Sequence, residues 1–223
     1  MYHFFALRPS ESRNIEAGFK WLATDNTRIN LALFESVVTD EILPATNIGG
    51  RATFQNAADT RRRGVELSAD YRFGRDLTAY LSYTYLDARF RDSYTYLPRA
   101  GQPFVTVPDG NFIPGVPRNT AYAELAWRRG LPGLSAGAEM IYRDRVFAND
   151  TNTEAAEQYA MANVRLAYSH QLGRWKLSEF VRIDNVSGTK YVGSVIVNEG
   201  NGRFYEPSPG RNIIVGMNAS YAF

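Results

Sequence analysis

The chain has no cysteine and only two histidines, His3 and His170, in 223 residues. Without thiols there is no disulfide and no thiolate metal site. Two histidines near opposite ends of the chain do not supply a zinc ligand set together with carboxylates. No stretch approaches the roughly 18 uninterrupted apolar residues of a spanning helix, which excludes a helical membrane protein. Net charge is only +2, so no general attraction to nucleic acid is implied. The opening MYHFFALRPSESRN lacks a charged segment followed by a long apolar one, so no export signal is expected within this chain. Helical periodicity is missing throughout.

Aromatic residues and glycine are abundant instead: 14 Tyr, 13 Phe and 18 Gly. Aromatic side chains suit pleated strands, and glycine suits turns and bulges. Apolar and polar residues alternate with period two along most of the chain, which predicts about nine strands, near 13–22, 28–42, 59–73, 77–88, 119–128, 134–146, 159–169, 175–185 and 211–223. In the first, Ile15, Ala17, Phe19 and Trp21 alternate with Asn14, Glu16, Gly18 and Lys20. In the last, Ile213, Val215, Met217, Ala219, Tyr221 and Phe223 alternate with smaller or polar residues, Ile214 being the misfit.

The connections alternate in length. Asp25-Asn26, Gly74 to Asp76, Arg129 to Gly133 and His170 to Arg174 are tight, whereas 43–58, 87–118, 147–158 and 186–210 are long and rich in Gly, Pro, Asn and Asp. Short turns on one side and long loops on the other are the layout of a transmembrane β-barrel. Trp21, Tyr71, Phe73, Trp127, Tyr168, Trp175, Tyr221 and Phe223 fall beside the short turns or at the terminus, as an aromatic girdle at a membrane boundary would. Glu179 breaks the pattern, because it shares a face with Trp175, Leu177, Val181 and Ile183. It sits near an interface, or a bulge shifts the local register.

Several segments carry a family resemblance. LFESVVTDEI followed by NAADTRRRGVELSADYRF resembles the barrel of TonB-dependent outer-membrane receptors at Asp40, Ile42, Asn56, Arg61 to Arg63, Gly64, Val65, Glu66 and Leu67. GVPRNTAYAELAW at 115–127 and RIDNVSGTKYVG at 182–193 are similar to later strands of that family, and Phe223 completes the order. The resemblance implies an all-β fold, an antiparallel transmembrane β-barrel of about 22 strands with a plug domain inside. This chain would be about nine C-terminal strands of it. Residues 1–223 are therefore expected to form one partial barrel domain without plug, energy-coupling box or N-terminal strands, not competent for transport alone. The resemblance further implies bacterial outer-membrane lipid as surroundings and an iron–siderophore complex or similar large ligand as cargo. It implies the TonB energy-transducing complex as a partner through the plug. The stretch Val215, Met217, Ala219, Tyr221 and Phe223 resembles the signal read by the barrel-assembly machinery. Residues 193–212 resemble the last outer loop of a subgroup that serves siderophores and, in one member, a redox quinone cofactor.

Ligand contacts in such a receptor come from aromatic rings and arginines of the long loops. The candidates are Tyr94, Tyr96, Phe104, Phe112, Arg203 and Tyr205. Arg62 is expected on the inward polar face in an ion-pair network with Glu66, Asp70 and Arg72, with Arg61 and Arg63 near the outer rim. Basic runs of this kind can also mark nucleic-acid binding, but the strand pattern makes that the weaker reading. No catalytic residue, cofactor or metal is expected. Ser169 adjoins His170, so their side chains point to opposite faces of a strand and cannot form a nucleophile–base pair. The alternatives are a small self-contained outer-membrane barrel with a structural or adhesion role, and a barrel enzyme.

Overall fold

The computed structural model describes residues 7–48, 51–96, 98, 102–128 and 133–223. His3 and most of the tight connection at 129–133 lie outside the described residues. The strands in chain order are β1 (Glu11–Thr24), β2 (Thr27–Thr39), β3 (Ile42–Ile48), β4 (Arg51–Asn56), β5 (Thr60–Phe73), β6 (Leu77–Phe90), β7 (Tyr94–Tyr96), β8 (Val105–Val107) and β9 (Asn119–Trp127). They continue with β10 (Leu134–Arg143), β11 (Val146–Phe147), β12 (Ala155–Ala156), β13 (Tyr159–Leu172), β14 (Trp175–Asp184), β15 (Val192–Val195), β16 (Tyr205–Pro207) and β17 (Asn212–Tyr221).

Nine of these form a single antiparallel meander in the order β1-β2-β5-β6-β9-β10-β13-β14-β17. Each corresponds to one of the alternating segments of the sequence. The other eight pair two by two as short ribbons inside the long loops: β3-β4, β7-β8, β11-β12 and β15-β16. The strand expected at 28–42 stops at Thr39, because Asp40 adopts a left-handed backbone (φ 53°) that no regular strand continues through. Asn56 fixes the bend, its side-chain N–H donating to the Asp40 carbonyl at 2.7 Å. The Asp40–Asn56 pair of the sequence motif is therefore the hinge at which the hairpin leaves the wall. The turn expected at 170–174 is tighter than read: β13 runs to Leu172 and only Gly173, at φ 62°, and Arg174 make the connection.

Cross-strand register sorts the side chains onto two faces. One row reads Trp21, Ile29, Ala69, Leu81, Ala123, Met140 and Ala162 across seven strands. The next row in the pleat reads Arg28, Asp70, Tyr80, Glu124, Glu139 and Asn163. The apolar face is open: Val215, Met217 and Ile213 are 77%, 64% and 63% exposed. Among the described residues no second layer covers it, which is the pattern of a barrel wall whose apolar face meets lipid and whose polar face lines the interior. Seven of the eight girdle aromatics carry the outward register, with Trp175 against Tyr221 (5.0 Å between ring centres) and Tyr71 against Phe73 (4.3 Å), while Phe223, beyond the last paired residue, packs on Tyr221 (5.4 Å).

Glu179 has a definite place. Pairing is unbroken through β13–β14 and β14–β17, so no bulge turns it inward. It stays outward beside Tyr168, with His170 Nδ1 3.6 Å from its carboxylate, and Tyr168 stacks on His170. The acid thus sits at the level of a girdle ring with a cationisable neighbour. Phe180, on the polar face of β14, also has a reason. Its ring lies over Gly216, where a Cβ would come within 2.5 Å of it. Phe34 covers Gly64 in the same way, and a Cβ there would also meet the Tyr85 carbonyl at 2.2 Å.

Gly64→Val is therefore expected to push β5 away from β6 and to cost about 1–3 kcal/mol by overpacking. Urea unfolding of the membrane-inserted protein, read by tryptophan fluorescence, should show the lower midpoint; an unchanged midpoint would refute the close-approach assignment.

Candidate functional site

Two regions carry polar chemistry: the inner wall and the outer loop assembly. On the inner wall, Glu139 of β10 receives Arg165 of β13 (Nη1–Oε1 2.6 Å) and Arg182 of β14 (Nη2–Oε2 2.9 Å), together with an N–H of Asn163 (3.2 Å). Arg165 also reaches Glu124 of β9, which accepts the Tyr122 hydroxyl at 2.9 Å, and Arg182 pairs with Asp184 at 2.6 Å. Four strands are thereby tied across the lumen side by one chain of charges. The expected grouping of Arg62 with Glu66, Asp70 and Arg72 does not form. Arg62 is on the inner face but binds Glu41 and Thr60, and Arg72 donates to the Asp25 carbonyl. Residues four apart on a strand are about 13 Å apart, beyond the reach of an ion pair.

The loops gather at the other end around a small apolar cluster: Ala58, Ala88, Phe90, Tyr96, Val107 and Ile113. Beside it is a buried polar node. Asp150, 2% exposed, accepts the Tyr94 hydroxyl (2.6 Å) and an Asn198 side-chain N–H (2.7 Å) on the same carboxylate oxygen, Oδ2. Its backbone N–H donates back to Asn198 Oδ1 at 3.1 Å, and Asn111 donates to its carbonyl at 2.9 Å. Three separate loops, 87–118, 147–158 and 186–210, meet at this one carboxylate. Burial raises the Asp150 carboxyl above its ordinary range, against the lowering effect of the two hydrogen bonds. Burial likewise raises the Tyr94 phenol, and the neighbouring Asp150 charge adds to it. In the last loop, Glu199 accepts the backbone N–H groups of Arg203 (2.9 Å) and Asn201 (2.7 Å), which hold its carboxyl below the ordinary range.

The six candidate residues divide accordingly. Tyr94 and Tyr96 are inside the loop packing, Tyr94 committed to Asp150 and Tyr96 buried. Phe112 is sandwiched between Phe147 (5.7 Å, stacked) and Arg89 (3.9 Å to the ring centre), and Asn152 clamps its backbone on both sides. The Tyr205 hydroxyl donates to Glu154 at 2.9 Å. Phe104, 72% exposed, and Arg203, also exposed, are presented to the outside. The structure does not gather all six at one point. Asp150, Asn152 and Asn198 escaped the sequence reading; the only signal is that NDTNT and VNEGNG are turn-rich segments. Asn152 and Asn198 do have the positive φ such turns require.

The family model "TonB dependent receptor-like, beta-barrel" matches residues 3–186. The chain belongs to this family of outer-membrane receptors and transporters. It is 22% identical over 214 residues to the probable TonB-dependent siderophore receptor PiuA of Acinetobacter baumannii, covering 96% of this chain and 27% of that protein. It is 25% identical to the ferrioxamine receptor of Yersinia enterocolitica, over 83% of this chain and 25% of the relative. The crystal structure of PiuA superposes with TM-score 0.75 at 21% identity, covering 93% of this chain and 28% of that one. The ferric citrate transporter FecA superposes with TM-score 0.72 at 16% identity, covering 93% and 31%. The chain thus spans about a quarter of the length of the relatives it matches.

Asp150→Ala leaves the Tyr94 O–H and an Asn198 N–H without their acceptor, and is expected to loosen the loop assembly by about 1–3 kcal/mol. Because the folded carboxyl titrates above its unfolded value of 3.8, the folded loops hold a proton that the unfolded loops release. Loop stability from this group is thus greatest at low pH and falls as pH rises through the raised value. Amide exchange over 147–158 and 186–210, corrected for intrinsic rates, should show that pH slope in the native protein and lose it in Asp150→Asn.

Proposed function

We propose that this chain forms the wall and outer loops of a TonB-dependent uptake receptor for an iron–siderophore complex in the bacterial outer membrane. The observation that carries the reading is a sheet with apolar side chains outward, ion pairs inward and its long loops gathered at one end, in a chain of this receptor family. Cargo is supported by the relatives, which are named for siderophores and for ferrioxamine. β1 and β17 end the sheet on either side without pairing to each other. Lipid offers no hydrogen bonds to such edges, so we read the chain as the last nine strands of a larger barrel of about 22, not transport-competent alone. A plug domain within that barrel would couple it to the TonB complex. The rival, a self-contained small barrel, requires those two edges to meet.

The loop side chains divide by role. Phe104 and Arg203 are outward and uncommitted enough to touch cargo, with Tyr205 at the margin. Tyr94, Tyr96 and Phe112 position the loops that present them. The outward run Val215, Met217, Ala219, Tyr221 and Phe223 serves the barrel-assembly machinery as its recognition strand.

The test is growth under iron limitation of a strain whose only receptor is the full-length protein, supplied with one defined ferric chelate at a time. At least one siderophore chelate should support growth, and Phe104→Ala should weaken its binding by about 1–2 kcal/mol, roughly tenfold. Growth on no chelate above the receptor-deleted strain would refute the cargo. Phe223→Ala should lower the amount of receptor inserted in the outer membrane, measured by heat-dependent gel mobility, without altering its cargo preference.

A further inference from the structure

The outward face does not remain apolar up to the loops. Above the row Ala17, Leu33, Val65 and Tyr85, the next outward row is Ile15, Glu35, Arg63 and Asp87, and the one above it is Arg13, Val37, Arg61 and Arg89. Four arginines on three strands therefore face the direction that lipid occupies below them. Arg118 joins from the neighbouring hairpin, its guanidinium 3.1 Å from the Tyr85 hydroxyl and 5.0 Å from the centre of the Phe112 ring. The acids facing this strip are Glu11, next to Arg13 on the outward face of β1, Glu35, Asp87 and, at its margin, Asp144, which accepts a side-chain N–H of Asn119 at 2.6 Å.

Asp87 is arranged as an anchor for the arginines. It is 5% exposed and lies beneath two of them: Arg89 Nε reaches Oδ1 at 2.8 Å and Arg63 Nε reaches Oδ2 at 3.3 Å. Its buried charge fixes both guanidinium planes, while the Arg63 side chain remains 54% exposed. Arg13 and Arg61 have no ion-pair partner among the described residues. Arg89 is committed, since its Nη1 donates to the Gly110 carbonyl at 2.8 Å and its guanidinium lies 3.9 Å from the centre of the Phe112 ring, so the free N–H groups belong to Arg13, Arg61 and the exposed part of Arg63, a donor set for a phosphate, which a guanidinium can grip with two parallel N–H bonds. The strip starts immediately above tyrosines Tyr83, Tyr85 and Tyr142, all outward in register. Such rings mark the headgroup level. The long arginine stems can lie along apolar wall with their heads in that layer.

We propose that Arg13, Arg61 and Arg63, the last braced by Asp87 beside Arg89, bind the phosphate groups of an anionic lipid headgroup in the outer leaflet, holding that lipid against the β1–β6 wall. The occupant is a lipid because the strip continues the lipid-facing surface without a break and the acyl chains would lie on Ala17, Leu33 and Val65 directly below. The proposal rests on the outer-membrane location and is independent of which cargo the loops take.

The test uses the full-length protein extracted from its own membranes and placed in phosphatidylcholine nanodiscs, with lipid A in its bisphosphorylated or dephosphorylated form. Native mass spectrometry counts the lipid retained. The unmodified protein should retain the phosphorylated form and not the dephosphorylated one, a comparison that needs no variant to fold. R61Q/R63Q should weaken retention roughly 25-fold, since each arginine near a charged membrane surface contributes about a factor of five. R61K/R63K should recover only part of the loss, because lysine restores the charge without the two-bond fork. Equal retention of the two lipids, or equal retention by R61Q/R63Q and the unmodified protein, overturns the proposal. Displacement of the lipid by equimolar inorganic phosphate would make this a free-anion site and overturns it as well.

Discussion

Hydrocarbon cannot hydrogen-bond a peptide group, and the wall of this protein is arranged around that fact. Within the nine-stranded sheet every strand exchanges its backbone bonds with the next, and the one register irregularity, at Leu22 and Thr24, falls beside a turn. The other irregularities, at Pro44/Thr46 and Val192/Ser194, are in loop ribbons. A one-residue slip at membrane depth would carry Glu139, Arg165 and Arg182 to the outside and Met140, Leu166 and Val181 to the inside. The register is therefore specified on both faces at once. That is why Glu179 stays outward beside His170: the backbone is held by its neighbours on both sides, and the side chain finds local company instead.

The same constraint inverts the usual distribution of the core. Apart from Ala126, the fully buried apolar residues, among them Phe90, Tyr96, Val107, Ile113, Val146 and Ala156, belong to the loop assembly or the strand ends beneath it. At membrane level the apolar side chains are outside and the charges inside; above it the loops build an ordinary water-excluding cluster with Asp150 at its polar centre. The two regions are joined at residues that break the strands. Asp40 and Asn185 stand where the hairpins leave the wall, both at positive φ. Asn185 donates to the Thr189 carbonyl and accepts the Thr189 N–H, while its own N–H goes to Asn163 in the wall. Asparagine and aspartate suit these sites because a short polar side chain replaces the backbone partner that the bend removes.

Period two was readable because lipid and lumen impose it on every strand. All nine wall strands, their order and the outward girdle follow from alternation and turn length alone. Ends were less legible: β2 stops at Asp40 for a backbone reason that alternation does not encode. The four loop ribbons were hidden for the same cause, since segments of two to seven residues in Gly- and Asn-rich surroundings carry too little pattern. Arg62 shows the limit for side-chain contacts. Its face was legible, but its partner Glu41 comes from the far side of a bend. Asp150 is the extreme case: what makes it central is the meeting of three loops separated by dozens of residues, and its turn-rich surroundings say nothing of that meeting.

The separation of wall from loops also decides what likeness to other proteins can mean. Relatives near 20% identity superpose over almost the whole chain, because alternation, girdle and hinge residues are requirements of the membrane and not of any cargo. On the proposed reading, cargo choice would rest on side chains that those requirements leave free, such as Phe104 and Arg203, and on how firmly Asp150 holds the loops around it. Fold likeness is blind to both. It follows that substitutions in the wall should act through stability and insertion, whereas substitutions at exposed loop tips should act on recognition with the barrel unchanged. Asp150 stands between the two: buried at the meeting of three loops, it would act on recognition only through their order.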